Sequence, residues 1–200
     1  MDCNNLTNYL DVSDFQCVGI IAKHCDMTKL CIASEEAKNF DLIPLFCFDF
    51  VNDFLDNWNI SEENEDFEKY RDLICGSVYF ANGKSHQNIG LKRLWVYYTY
   101  SRYVLLNGYS DTANGLVSKQ NDFSIPTPIR ELNDFSNKYR SMASLSYKNI
   151  LSYLCLKKEL YPTFEDCNCE LMCGCSGICS CGKTKKLTGF KFRTIKKNGF

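Results

Sequence analysis

Thirteen of the 200 residues are cysteines, and six of them form a repeat. Cys167-Asn168-Cys169, Cys173-Gly174-Cys175 and Cys179-Ser180-Cys181 place a C-x-C pair every six residues. Thiolates at that density are ligands for a soft metal such as Zn²⁺ or Cu(I), and Gly174, Gly177 and Gly182 leave the backbone free to wrap an ion. A tetrahedral zinc takes four of the six sulfurs, so Cys155 or a second metal would join the remainder. Two other outcomes stay open for the same residues: disulfides formed after release from the cell, and free thiols in a mobile tail. Leu171, Met172 and Ile178 are nearly all the large apolar content of this stretch. That is too little to offset roughly 1–2 kcal/mol of backbone entropy per ordered residue, so order here requires a cross-link.

Other chemistry is sparse. The chain has no phosphate-cradling or dinucleotide glycine motif, no G-x-S-x-G and no H-E-x-x-H. Its two histidines, His24 and His86, stand in polar contexts that read as surface or loop. Cys25 adjoins His24, but neighbours in sequence are poorly placed for a nucleophile–base pair. The acidic run Glu62 to Asp66 reads as the first turn of a helix, where the dipole favours carboxylates. Trp95, Tyr97, Tyr98, Tyr100 and Tyr103 share one helix with only Lys92, Arg93 and Arg102 beside them, which fits core or subunit packing better than a base-stacking platform. No catalytic constellation is expected.

The elements that must carry these residues centre on a long helix from Thr127 to Leu160. Thr127 is placed to cap it, Pro128 to open it and Glu131 to complement its dipole. Leu132, Phe135, Tyr139, Met142, Ser146, Ile150, Tyr153 and Leu160 follow three- and four-residue steps along one face. About thirty-three residues at 1.5 Å each would span roughly 50 Å, with Ser141 to Ser146 the place for a bend. Its second half also carries Leu145, Tyr147, Leu151, Leu154 and Leu156. Apolar nearly all round, it lies deep in the core or against a neighbouring subunit.

Earlier in the chain, Asp26 caps a helix whose face runs Met27, Leu30, Cys31, Ser34, Ala37, Phe40, and Asp41 to Pro44 reads as a break. A second helix is expected from Leu45 to Trp58, and a third from Ser61 with Phe67, Tyr70, Ile74 and Val78 inward. A polar loop spans Ala81 to Gly90. A fourth helix covers Leu91 to Asn107 with Gly108 as its stop, and a turn-rich connection runs from Tyr109 to Thr127. Leu187 to Ile195 alternates as a strand. The fold class is therefore mainly α: a helical bundle with a long C-terminal helix, then a cysteine-rich segment and a short β-strand tail. The divisions are 1–25 as an N-terminal arm, 26–162 as the helical domain, 163–186 as the cysteine segment and 187–200 as the basic tail.

Formal charge is −1 but uneven. The first 182 residues hold 16 basic and 24 acidic side chains. After Glu170 only Lys183, Lys185, Lys186, Lys191, Arg193, Lys196 and Lys197 are charged. A basic tail on an acidic body points to an acidic partner, another subunit or nucleic acid, or to lysines guarding an exposed strand. No run of eighteen apolar residues and no leader-like N-terminus is present, so the expectation is synthesis in the cytoplasm without a membrane.

Four stretches carry a resemblance: Glu36-Ala37 through Pro44-Leu45; Leu73 to Tyr79; Gly90-Leu91-Lys92 with the tyrosine helix; and Thr112 to Lys119 through Tyr139-Arg140. Across roughly residues 26–162 they resemble the head–tail connector, or neck-ring, proteins of tailed phages, particularly crAss-like and other Bacteroidetes phages. The resemblance implies a mostly helical homo-oligomer, commonly a twelvefold ring, bound to portal and tail or neck proteins in the virion, conducting DNA through its lumen without chemistry. The cysteine segment and basic end are not part of that pattern. The rival readings are a zinc–thiolate binding module on a helical scaffold and, third, a hydrolase with an unfamiliar site.

Overall fold

A computed structural model describes residues 9–16, 26–113, 115–118 and 127–164. The described chain is mainly helical. Its elements are α1 (Val12–Gln16), α2 (Met27–Ala37), α3 (Ile43–Phe46), α4 (Phe48–Asp56), α5 (Phe67–Cys75), β1 (Ser77–Ala81), β2 (Lys84–Asn88), α6 (Leu91–Gly108), β3 (Tyr109–Thr112), β4 (Gly115–Ser118) and α7 (Ile129–Leu156). A π-turn at Lys38–Leu42 joins α2 to α3, and a 3₁₀ turn at Lys158–Leu160 follows α7. Among the described residues no helix is long and apolar enough to cross a membrane.

The tyrosine helix α6 is the central element, packed against α2 on one side and α7 on another. Trp95 is completely buried on it, its indole N–H donating to the Ser34 carbonyl of α2 at 3.0 Å. The Trp95 ring meets Trp58 edge-on at 5.5 Å, and Tyr9 sits 5.8 Å from both rings. Tyr98 and Tyr103 are buried too, so this row is core. The arm expected over 1–25 also contributes to the core, because Leu10 and Phe15 are buried in it.

Asp26 caps α2 as its side-chain chemistry predicts, accepting the Lys29 N–H at 3.2 Å. The break expected at Asp41 to Pro44 is absent. The chain runs on through the π-turn, and Pro44 falls in the first turn of α3, where a missing N–H costs nothing. The true interruption comes at Cys47, whose φ is +63°. The next helix therefore starts at Phe48 rather than at Leu45. Ser61 does not open α5 either: residues 61–66 form turns, Asn64 Oδ1 accepts the Asp66 N–H at 2.9 Å, and only Glu68 lies in the helix's first turn. The acidic run thus stands ahead of the helix and is exposed, with Asp66 at its end 3.3 Å from the Lys69 ammonium.

Val78 is not on an inner helical face, and Ala81 to Gly90 is not a loop. Both belong to the antiparallel hairpin β1–β2, paired from Ser77↔Asn88 to Ala81↔Lys84. Its two-residue turn is Asn82-Gly83, with φ of +52° and +74°. That is the left-handed pair a tight hairpin requires. A second hairpin, β3–β4, lies within the connection expected from Tyr109 to Thr127.

The long helix is shorter than its pattern. Pro128, not Thr127, stands at the N-cap, with no side-chain cap. Twenty-eight residues then span about 42 Å and end at Leu156. No break interrupts it at the serines: Ser141, Ser144 and Ser146 donate their hydroxyls to the carbonyls four residues back at 2.8–3.0 Å. Phe135 and Leu160, placed on the inner face by periodicity, are exposed.

Candidate functional site

The six candidate metal ligands, Cys167, Cys169, Cys173, Cys175, Cys179 and Cys181, lie outside the described residues, as do the Leu187–Ile195 strand, His24 and Cys25. Among the described residues no three His, Cys, Asp or Glu side chains gather as a metal site. Cys47 and Cys75 are exposed free thiols. Cys155, on α7, is disulfide-bonded, which removes its thiolate from any metal.

The chain's approach to the cysteine segment is firmly fixed. Asp53 of α4 accepts from the Tyr70 hydroxyl at 2.7 Å and from the Thr163 hydroxyl at 2.6 Å. The Tyr161 hydroxyl donates to the Lys69 carbonyl at 2.8 Å and lies 3.4 Å from that of Tyr153. The Phe164 ring packs 5.2 Å from Phe50. Burial, with the Tyr153 contact behind it, pushes the Tyr161 hydroxyl far above its ordinary range. Burial and then the Asp53 carboxylate do the same to Tyr70. These hydroxyls stay protonated and act as fixed donors.

A charged network holds the π-turn. Arg102 donates through Nε to Asp41 at 2.7 Å and through Nη1 to Glu36 at 3.2 Å, while Arg140 approaches Asp41 at 3.6 Å. Burial alone would lower the Arg102 pKa, but the two carboxylates outweigh it and raise the value. Asp41 is buried and each of its oxygens faces a guanidinium, so the carboxylate is compensated. Its neighbour Phe40 is 67% exposed, with the same Arg102 guanidinium 5.7 Å from its ring. Phe48, just beyond α3, is 60% exposed. The π-turn and the left-handed Cys47 therefore frame a corner that presents two phenylalanines.

The β1–β2 hairpin presents another apolar surface. Tyr79 packs inward, edge-on to Tyr153 at 5.3 Å and stacked on His86 at 5.4 Å. Strand alternation sends Val78 and Phe80 to the opposite face, where each is 74% exposed. The base is rigid: Asn149 accepts the Ile89 N–H at 2.9 Å, and the Asn88 amide donates to the Asp72 carbonyl at 2.7 Å. Gly76 and Gly90, both at φ +92°, let the two ends cross, since a Cβ on either would come within 2.6 Å of the facing backbone. Sequence patterning put Val78 in a core and missed both protrusions. The signal that would have found the hairpin is Asn82-Gly83, flanked by Ser77-Val78-Tyr79-Phe80.

No curated protein and no solved structure matches this chain. The model of one family does match, over residues 42–170. That span takes in Phe48, the hairpin, α6 and α7, and on it the chain belongs to DUF6712, a family of unknown function.

Proposed function

We propose that the protein is a structural subunit of a virion ring, a head–tail connector that joins the portal to the tail and surrounds a DNA-conducting lumen. The observation that carries this reading is the pair of apolar protrusions held by rigid frameworks: Val78 and Phe80 on the hairpin, Phe40 and Phe48 at the corner. Large side chains exposed at 60–74% on fixed elements suit a permanent contact with another protein surface. The resemblance of residues 26–162 to neck-ring proteins supplies the rest: a homo-oligomer, portal and tail partners, DNA in the lumen, and a place in the virion neck after synthesis in the host cytoplasm. In this reading the protein does geometric work. The Arg102–Asp41 network and the Asp53 clasp keep the contacting surfaces in fixed relation while neighbours close around the axis.

Light scattering and negative-stain imaging of the purified protein, alone and with portal protein, test the proposal. Annular particles, or an annulus on the portal, are expected. A protein that stays monomeric at high concentration and binds no portal overturns it.

A further inference from the structure

The two apolar protrusions differ in charge and stand on opposite flanks of α7. From residue 39 to residue 68 the chain has nine carboxylates and no lysine, arginine or histidine. From residue 76 to residue 90 it has Lys84 and His86 and no carboxylate. Asp49, next to Phe48, and Lys84, at the hairpin tip, are exposed, and neither has an ion-pair partner among the described residues. The corner meets α7 at Arg140, which approaches Asp41, and at Tyr147, whose ring lies 5.2 Å from Phe46. The hairpin and its base meet α7 at Tyr153 and Asn149. At about 100° per residue, these two pairs of contacts lie roughly 120–180° apart around the helix axis.

We infer that the hairpin face of one copy, Val78, Phe80 and Lys84, docks on the corner of a second copy, Phe40, Phe48 and Asp49, in a head-to-tail contact. Two unlike patches on opposite flanks of one chain are what a heterologous interface requires, because each copy offers one patch to each neighbour. The charges sort the pairing: hairpin against hairpin sets Lys84 against Lys84, and corner against corner sets Asp49 against Asp49, whereas hairpin against corner joins Lys84 to Asp49. Counted over both partners, the three phenylalanines bring roughly 300–500 Å² of apolar surface, a fit centre for a contact that buries about 1,600 Å² in total. The inference deepens the ring reading and rests on it for closure of the chain of contacts into a ring.

The test uses two surface variants of the full chain, Phe80→Asp and Phe48→Asp, each checked for native circular dichroism. Each alone is expected to run as a monomer in light scattering where the unaltered protein assembles. Mixed in equal amounts they are expected to give a one-to-one dimer, since each retains the surface the other lacks. Lys84→Glu and Asp49→Lys should each weaken assembly singly and restore it when combined in one chain. Variants that assemble like the unaltered protein, a mixture that stays monomeric, or an unaltered protein that never self-associates overturns the inference. Closed rings that survive both variants remove this contact and leave the connector reading standing. Open filaments that the variants abolish leave the contact standing and remove the ring.

Discussion

Residues 129–141 of α7 bury only Ser136 and Tyr139, whereas residues 142–156 bury Ala143, Ser146, Ile150, Leu151, Tyr153 and Leu154. The sequence of the helix shows a clean amphipathic stripe in the first half and apolar residues nearly all round in the second, and only the second half is covered as that pattern implies. The difference teaches that a stripe records what could be covered, not what the same chain covers. The second half uses two sides for its own core and hairpin, and still leaves Leu145 and Leu156 exposed at 66% and 54%. The first half is covered on one side only, touching α6 through Tyr139 on Tyr97 and Tyr100 and through Leu132 against Gly108.

The largest effect should come from one substitution made at both ends of this helix. Ile150 is fully buried and Ile129 is 60% exposed. Ile150→Ala should cost about 3 kcal/mol through lost transfer energy and the cavity left behind. Ile129→Ala should cost roughly 0.5 kcal/mol or less, as expected for a surface change. Urea unfolding followed by circular dichroism measures both. Equal costs would mean that the outer half is packed against something in the isolated protein.

How far the sequence could be read follows the same divide between local and distant causes. The bounds of α6 are legible to within one residue, because its start at Leu91 and its end near Gly108 are set by local residues. The corner is not. Phe40 falls on the inner face of α2 by periodicity, but the extra residue of the π-turn shifts the register and turns it outward. What stabilises that turn is Arg102, 61 positions from Asp41, and no local pattern announces such a pairing. The hairpin was legible in Asn82-Gly83 but is easily read as a polar loop, because β2, Lys84 to Asn88, has no apolar residue. Val78 joins the helical pattern of α5 only by the accident of lying four residues beyond Ile74.

Alkaline titration should sharpen the contrast at the core end of α7. Tyr70, Tyr153 and Tyr161 all have pKa values raised, first of all by burial. In the unfolded chain such groups ionise near pH 10. The native state keeps its protons to higher pH, so the stability they contribute is fully present below about pH 10. It is lost as pH rises through the native values, at about 1.4 kcal/mol per pH unit for each group. Unfolding midpoints should hold steady from pH 7 to about 9.5 and fall beyond 10. Replacing Tyr161 by Phe should make the fall shallower. An unchanged slope in that variant would show that Tyr161 is not among the groups responsible.

A modest effect belongs to the hairpin tip and asks whether the hairpin is an independent unit or an extension of α7's core half. Gly83 sits at φ +74° with nothing within 4 Å of where a Cβ would lie. Gly83→Ala therefore meets no clash, and its cost is the left-handed conformation alone, roughly 1 kcal/mol. Because Tyr79 locks the hairpin to Tyr153, that cost should appear in global unfolding as a lowered midpoint, rather than only as local fraying. Gly83→Asn should recover much of it, since asparagine tolerates the left-handed region best among residues with a side chain. Hydrogen exchange at Tyr79 and His86, a hydrogen-bonded pair of the ladder, separates the two cases. If their amides lose protection while the global midpoint stays where it was, the hairpin opens without the core, and its rigidity comes from the glycine crossing at Gly76 and Gly90 rather than from α7.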